Sequence, residues 1–139
     1  FLDEKGELDR ERLAEIVFSK KEELSVLNGI IHPAVKEEIR RKIAKEERKN
    51  TNLFIVEAAL LIEDNYEEIC DELWYVYVED EIRKKRLIYA RGYDARKVDD
   101  IIAAQLPKDV FLKHCDRVID NNGVFEETKM QLDQIVADL

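Results

Sequence analysis

The feature that most constrains the fold is an apolar run at residues 73–78 that changes at once into a charged, helix-forming segment at residues 79–91. The aromatic and β-branched residues of the run predict a strand, and the charged segment predicts a helix. A strand that delivers its carboxyl end into a helix is typical of α/β proteins, which bind ligands at that edge. The helix carries five cationic side chains, with Arg86 and Arg91 near its end. We therefore expect a polyanionic ligand, most simply a phosphate.

Two further runs extend the alternation of strands and helices. The apolar segment 52–57 is typical of a strand buried on both faces of a parallel sheet, and residues 117–120 predict a third, short strand. A short helix is predicted at 9–17, and a capping-box pattern at Ser19 opens a helical region that reaches about residue 49. We expect a break within that region at His32-Pro33, because proline suits the first position of a new helix. Strands that alternate with helices predict an α/β fold.

The charge balance argues against one class of partner. The chain has 23 Lys and Arg against 32 Asp and Glu, for a net charge of −9. Non-specific nucleic-acid binding needs a surplus of cations facing phosphates, so we do not expect it. A local basic cluster can still hold a small phosphorylated ligand, and a bound Mg²⁺ would offset part of the charge repulsion.

The cysteines and the hydropathy pattern bear on location. Cys70 and Cys115 lack the spacing of metal ligands, and no signal-peptide pattern precedes them, so we expect reduced thiols. No apolar run approaches the roughly 20 residues of a membrane-spanning helix. These patterns predict a cytoplasmic protein that does not cross a membrane.

Several short segments, taken in their order and spacing, form a recognisable set. They are 8–18, Leu27-Asn28, Ile31-His32-Pro33, 56–63, Arg86-Leu87, Arg91-Gly92-Tyr93, 102–107 and 118–123. Together these segments resemble the dephospho-CoA kinase family, whose members use ATP to phosphorylate the ribose 3′-hydroxyl of dephospho-CoA.

The resemblance implies a three-layer P-loop kinase-like parallel sheet with helical substrate and lid regions. It divides the chain, as a single partial kinase domain over residues 1–139, into three kinds of region. They are a helical acceptor-binding region at about 8–50, core at 51–80 and 116–139, and a lid region at 81–115. ATP as substrate, Mg²⁺ and dephospho-CoA are the ligands that the resemblance implies.

One departure from the family pattern matters most. The family begins with a strand and a glycine-rich G-x-x-x-x-G-K-[ST] phosphate loop, whereas the glycines here are Gly6, Gly29, Gly92 and Gly123, none of them in such a loop. The early acidic residue expected to assist the substrate hydroxyl is missing as well. We expect a sheet without its first strand, and we expect these 139 residues alone not to transfer phosphate. Phosphoryl transfer depends on the backbone cradle, its lysine and Mg²⁺.

The arginines of the helix after residue 79 are the candidate catalytic residues. In the family, arginines of this region form a lid that closes on ATP, so the resemblance assigns Arg86 and Arg91 to offsetting charge on the transferring phosphoryl group. The alternative is a solvated helix face with ordinary ion pairs between neighbouring turns.

His32 and Glu57 are the candidate acceptor-binding residues. The helical segment of His32 lines the acceptor site in the family; the alternative is a cation that caps the end of the preceding helix. Glu57 follows a buried run, so it either faces a ligand-filled cleft or pairs with a cation, because an unpaired buried carboxylate is costly.

The loop of Asn121, Asn122 and Gly123 is the candidate nucleotide-binding element, because the corresponding loop of P-loop kinases borders the adenine ring. An Asn-Gly turn with no further role is the alternative. No metal site is predicted from the protein's own side chains.

Two other functions fit the same residues. One is another small-molecule P-loop kinase, although the acceptor region 9–49 matches the dephospho-CoA kinases better. The other is a non-catalytic α/β module for ligand binding or interaction that lacks the phosphate loop.

Overall fold

The computed structural model describes residues 5–9, 13 and 21–139. The chain divides into two compact units, Phe1–Leu60 and Leu61–Leu139. Among the described residues, none of the helices combines the length and the apolar character needed to cross a bilayer.

The first unit is dominated by one long helix, α1 (Lys21–Glu47). Pro33 lies inside it, so the predicted break at His32-Pro33 is wrong. Proline removes one hydrogen bond, to the carbonyl four residues earlier. That carbonyl belongs to Gly29, which is exposed, so water can take the place of the missing donor. The charged residues on both sides of Pro33 favour helix and carry it through.

The predicted strand at 52–57 is also wrong, because these residues have no regular secondary structure. A strand exists only where a neighbouring segment pairs with its backbone, and none of the described residues does so here. The apolar side chains of the segment are accordingly exposed, with Ile55 at 73%. For the predicted helix at 9–17, the amide of Leu13 donates to the carbonyl of Asp9 at 3.0 Å, a helical hydrogen bond. Ser19 and the rest of that helix lie outside the described residues.

The second unit contains the predicted parallel sheet. Strand β1 (Trp74–Tyr77) pairs in parallel with β2 (Arg117–Asp120), in a register that joins Trp74 to Arg117 and Tyr77 to Asp120. These strands confirm the predictions at 73–78 and 117–120 and the α/β class. Because the strands are parallel, their carboxyl ends lie at the same edge.

The amino ends of the two strands are fastened together by side chains. The amide of Leu73 donates to the carboxylate of Asp116 at 2.8 Å. Arg117 donates two hydrogen bonds to Glu72, at 2.7 and 3.0 Å, and this pairing lowers the pKa of Glu72. Cys70 and Cys115 precede the two strands as free, half-buried thiols, and burial raises the pKa of each.

Helices connect the strands and follow them. A short 3₁₀-helix (Tyr66–Glu68) precedes β1, and the chain then continues through α2 (Asp80–Arg91), α3 (Ala95–Ala103), α4 (Lys108–His114) and, after β2, α5 (Phe125–Ala137).

Residues at the helix ends account for these boundaries. Gly92 ends α2 with a left-handed φ of 63° that glycine adopts without strain. Asp94 starts α3 by accepting a hydrogen bond from the amide of Lys97, and Pro107 precedes α4. These are positions that glycine, aspartate and proline favour at helix ends.

The buried side chains of the second unit come from several of its elements. Tyr66, Leu73, Val98 and Ile119 are each at most 4% exposed. Ile119 stands at the middle of β2, so the sheet and the elements that cover it meet at this side chain.

Replacement of Ile119 by alanine should therefore destabilise the fold strongly. We expect Ile119→Ala to lower the free energy of unfolding by about 2–4 kcal/mol, because it removes buried methyl groups and leaves a cavity. The neighbouring variant Val118→Ala, at a position that is 43% exposed, is the matched control and should lower it by less than about 1 kcal/mol. Urea denaturation measures both, and equal losses would contradict this account of the core.

The Glu72–Arg117 pair should give the protein an acid-sensitive contribution to stability. A carboxylate whose pKa is lowered in the folded state stabilises it above the ordinary value and loses that contribution as the pH falls through the folded value. We expect the stability difference between the wild type and Glu72→Gln to be constant near neutral pH and to narrow below the ordinary value of 4.5. Denaturation measured from pH 7 to pH 3 tests this, with Glu63→Gln as an exposed carboxylate control. A difference that does not change with pH would refute it.

Candidate functional site

The carboxyl edge of the sheet brings the loop 121–123 against the start of α2. The amide of Asn121 donates to the carbonyl of Tyr77 at 2.8 Å, which continues the ladder beyond the two strands. The side-chain oxygen of Asn122 then accepts a hydrogen bond of 2.7 Å from the amide of Glu79, the residue before α2. Two segments that are far apart in the sequence therefore meet where the strands end.

Arg86 joins the same loop two helical turns further along α2. Its Nη1 donates to the carbonyl of Asn121 at 2.6 Å, and its Nη2 donates to those of Asn122 and Gly123 at 3.2 and 3.0 Å. A guanidinium carries five N–H donors, so two of them stay available. The structure thus brings together the predicted catalytic Arg86 and the predicted nucleotide-binding loop.

Side chains of α5 hold the loop from its other side. The hydroxyl of Thr128, which is 8% exposed, donates to the side-chain oxygen of Asn121 at 3.1 Å. Gln131 both accepts from the amide and donates to the carbonyl of Asp120, each at 2.8 Å. The end of β2 and the loop that follows it are therefore bonded to α5 through both side chains and backbone.

Gly123 has a steric reason for being glycine. The carboxylate of Glu127 lies directly over its Cα, and a Cβ at this position would overlap it. From there Glu127 accepts a hydrogen bond of 3.3 Å from the amide of Val124, at the start of α5. Such a side chain reaching back over the first turn is part of a capping box.

Arg91 is placed differently from Arg86. It is exposed and has no hydrogen bond or ion pair among the described residues. Five residues at 100° per residue put it about 140° around the helix axis from Arg86. The structure therefore brings Arg86 to the loop and leaves the charge of Arg91 on another side of α2.

Polar links join α2 to α3 and to the segment after it. Lys84 donates to Asp99 at 2.7 Å, and this hydrogen bond raises the pKa of Lys84. Arg83 donates to Asp80 at 2.8 Å and to Gln105 at 2.6 Å. Gln105, which the sequence placed among the family matches without a role, thus helps to hold the predicted lid region together.

The two predicted acceptor-binding residues belong to the unit Phe1–Leu60. His32 is half-buried in the middle of α1. The alternative that it caps a helix end is therefore wrong, because the helix continues to Glu47. Glu57 is exposed, and no described residue forms a hydrogen bond or ion pair with it. Because this carboxylate is exposed to water, it needs no cation of the protein to stabilise its charge.

The described residues contain no group of three or more His, Cys, Asp or Glu side chains that could hold a metal ion. These residues therefore do not by themselves form a site for Mg²⁺.

The comparison with known families decides what kind of chain this is. A family model described as dephospho-CoA kinase matches residues 1–127. The chain belongs to the dephospho-CoA kinase family. The dephospho-CoA kinase of Carboxydothermus hydrogenoformans is 39% identical over 131 residues, which are 94% of this chain and 64% of that protein. The chain thus spans less than two thirds of that relative's length.

Two solved structures share the fold. The crystal structure of TT1252 from Thermus thermophilus superimposes with a TM-score of 0.71 at 30% identity, covering 96% of this chain and 69% of that one. Dephospho-CoA kinase from Campylobacter jejuni gives a TM-score of 0.72 at 23% identity, covering 99% and 68%, and so supports the fold alone. The predicted P-loop kinase-like fold class is confirmed.

Sequence reasoning missed the residues that hold the loop. Thr128 and Gln131 were not predicted, although their spacing of three residues puts both on one face of α5. Asn122 was predicted as a loop residue, but its bond to Glu79 joins residues 43 apart in sequence. Only the parallel pairing of the strands brings such residues together, and sequence spacing carries no signal for it.

The contact between Gly123 and Glu127 should make the effect of one substitution depend on the other. In a Glu127→Ala background, Gly123→Ala should stabilise the protein by about 0.4–1 kcal/mol, because it reduces the entropy of the unfolded chain. In the wild type the same change must displace the Glu127 carboxylate, so the gain should vanish or reverse. A double-mutant cycle by urea denaturation measures this, and the same effect in both backgrounds would disprove the contact.

Proposed function

We propose that the protein containing these 139 residues transfers the γ-phosphoryl group of ATP to the 3′-hydroxyl of dephospho-CoA, a step of coenzyme A biosynthesis. In this reaction the ribose 3′-oxygen attacks the γ-phosphorus, the bond to the β-γ bridging oxygen breaks, and ADP leaves. Family membership supports the reaction, and the similarity to the dephospho-CoA kinase of Carboxydothermus hydrogenoformans supports the choice of acceptor.

The observation that carries this proposal is the contact between Arg86 and the loop 121–123 at the carboxyl edge of the sheet. α/β proteins bind their ligands at this edge. A cation bonded to the loop can face the phosphates of a nucleotide whose base lies along that loop. Its two remaining donors suit charge that develops on a transferring phosphoryl group.

The loop keeps only some groups available for a base. The oxygens of Asn121 and Asn122 and the carbonyl of Gly123 already accept hydrogen bonds within the protein. The amide of Gly123 and the side-chain NH₂ groups of Asn121 and Asn122 have no partner among the described residues. We propose the amide of Gly123 and the NH₂ of Asn121 as the donors that face the edge of adenine.

The remaining roles follow the family resemblance. We propose that Arg91, which has no partner among the described residues, contributes a second cation when the nucleotide is bound, and that His32 and Glu57 contact dephospho-CoA. Glu57 is exposed and unpaired among the described residues, so it can accept hydrogen bonds from hydroxyl or amide groups of the acceptor.

We propose that ATP is used with Mg²⁺. In kinases this ion is held largely by the phosphates of the substrate together with one or two carboxylates, and it neutralises their charge. We also propose that the reaction takes place in the cytoplasm, which the free thiols Cys70 and Cys115 support.

A comparison of turnover with dephospho-CoA and with CoA tests the function directly. The full-length protein should produce ADP and CoA from ATP and dephospho-CoA. Mass spectrometry of the acceptor detects the added phosphoryl group. CoA, whose 3′-hydroxyl already carries phosphate, is the matched control and should give no ADP above background. Equal ADP release with both acceptors would overturn the proposed activity. Phosphorylation of other small hydroxyl compounds instead would favour another P-loop kinase, and ligand binding without turnover would favour a binding module.

The same assay applies to the 139-residue polypeptide alone. We expect no turnover above background, because its sequence has no glycine-rich phosphate loop. Turnover comparable to that of the full-length protein would refute this expectation.

Removal of the Arg86 side chain should impair ATP use strongly. In the full-length protein we expect Arg86→Ala to reduce kcat/KM for ATP by about 100-fold, since it removes a cation at the phosphates and three bonds to the loop. Lys85→Ala removes the neighbouring cation, which has no partner among the described residues, and should change kcat/KM by less than about threefold. Steady-state kinetics at saturating dephospho-CoA measures both, and equal effects would contradict the assignment of Arg86.

A further inference from the structure

Asn122 makes hydrogen bonds to three different residues at the carboxyl edge of the sheet. Its side-chain oxygen accepts from the amide of Glu79 at 2.7 Å, and its own amide donates to the carboxylate of Asp120 at 2.8 Å. Its carbonyl accepts from Arg86 at 3.2 Å. Three of its polar groups are thus bonded within the protein, and only its side-chain NH₂ is left for a ligand.

The bond between Asn122 and Glu79 holds the N-cap residue of α2 from outside that helix. Glu79 is the N-cap of α2, and its side chain makes no capping hydrogen bond. Asn122 therefore ties the start of α2 to the loop, while Arg86 ties it seven residues later, about 10 Å along the axis. With two points of attachment, α2 can neither slide along the loop nor swing away from it without breaking a hydrogen bond.

The links to α3 start between these two points. Arg83 and Lys84 lie between Glu79 and Arg86, and they hold Gln105 and Asp99. A change in the position of α2 relative to the loop therefore moves α3 with it.

We propose that Asn122 is a positioning residue. It sets α2, and with it Arg86, at a fixed place beside the loop, and it does not itself read the nucleotide. This inference rests on the proposed function and adds to it the separate roles of the loop residues. Asn121 and Gly123 face the base, and Asn122 faces the helix.

The test uses three variants of the full-length protein. Asn122→Ala removes the acceptor for the Glu79 amide. Asn122→Asp keeps an oxygen in the same place but replaces the NH₂ group. Gln134→Ala removes an exposed amide of α5 that bonds only Asp138, and it is the matched control.

We expect Asn122→Ala to speed hydrogen exchange of the Glu79 amide by about tenfold and to raise KM for ATP by about three- to tenfold, the equivalent of one net hydrogen bond. Its kcat should stay within about twofold of the wild type, because no group that touches the reacting atoms is lost. Asn122→Asp should restore both exchange and KM to within about twofold, and Gln134→Ala should change neither.

Three results would overturn the proposal. Unchanged hydrogen exchange of the Glu79 amide in Asn122→Ala would show that Asn122 does not hold Glu79 in place. Faster exchange with an unchanged KM would show that this bond does not matter for the use of ATP. Restored exchange without restored KM in Asn122→Asp would mean that the bond to Glu79 is not what Asn122 contributes to the use of ATP.

Calorimetric titration with ATP separates this proposal from the proposed function. A protein that binds ATP but does not phosphorylate dephospho-CoA would overturn the function, and the dissociation constant would then replace KM in judging Asn122. A protein that does not bind ATP would overturn both.

Discussion

The parallel pairing of β1 with β2 is the interaction on which the rest of the second unit depends. It places the carboxyl ends of two strands, separated by 39 residues of helix and loop, at one edge. The contacts between the loop 121–123 and α2 follow from that placement, since the loop after β2 can meet the helix after β1 only there. The Glu72–Arg117 pair and the bond between Leu73 and Asp116 fix the opposite ends and so fix the register.

The distribution of charge around this edge indicates where an anion can lie. The first turns of α2 and α5 contain their own carboxylates, Asp80 and Glu81 in one and Glu126 and Glu127 in the other. These side chains already complement the positive ends of the helix dipoles. We therefore expect attraction for phosphate at this edge to come from a side chain further along α2, where Arg86 contacts the loop. A net charge of −9 and a local anion site are compatible for this reason.

The elements that could be predicted from the sequence were those with local signals. The strands at 73–78 and 117–120, the glycine that ends α2 and the aspartate that starts α3 all have such signals. The segment 52–57 has the composition of a strand, but strand formation also requires a pairing partner, which sequence does not supply. Pro33 is a helix breaker by propensity, yet the residues on both sides favour helix and the lost hydrogen bond lies at an exposed carbonyl. In the candidate site, Arg86 and the loop 121–123 could be named but not their contact, which joins residues 35 to 37 positions apart.

The two thiols of the second unit stand just before the amino ends of β1 and β2, away from the edge where the loop and α2 meet. Because burial raises the pKa of Cys70 and Cys115, both are protonated at neutral pH and react slowly with electrophiles. At a pH above the ordinary range of thiol pKa values they become attachment points for spectroscopic labels beside the amino ends of the strands. A fluorophore or spin label there would report movements of the sheet from the end opposite the expected nucleotide site, without blocking that site.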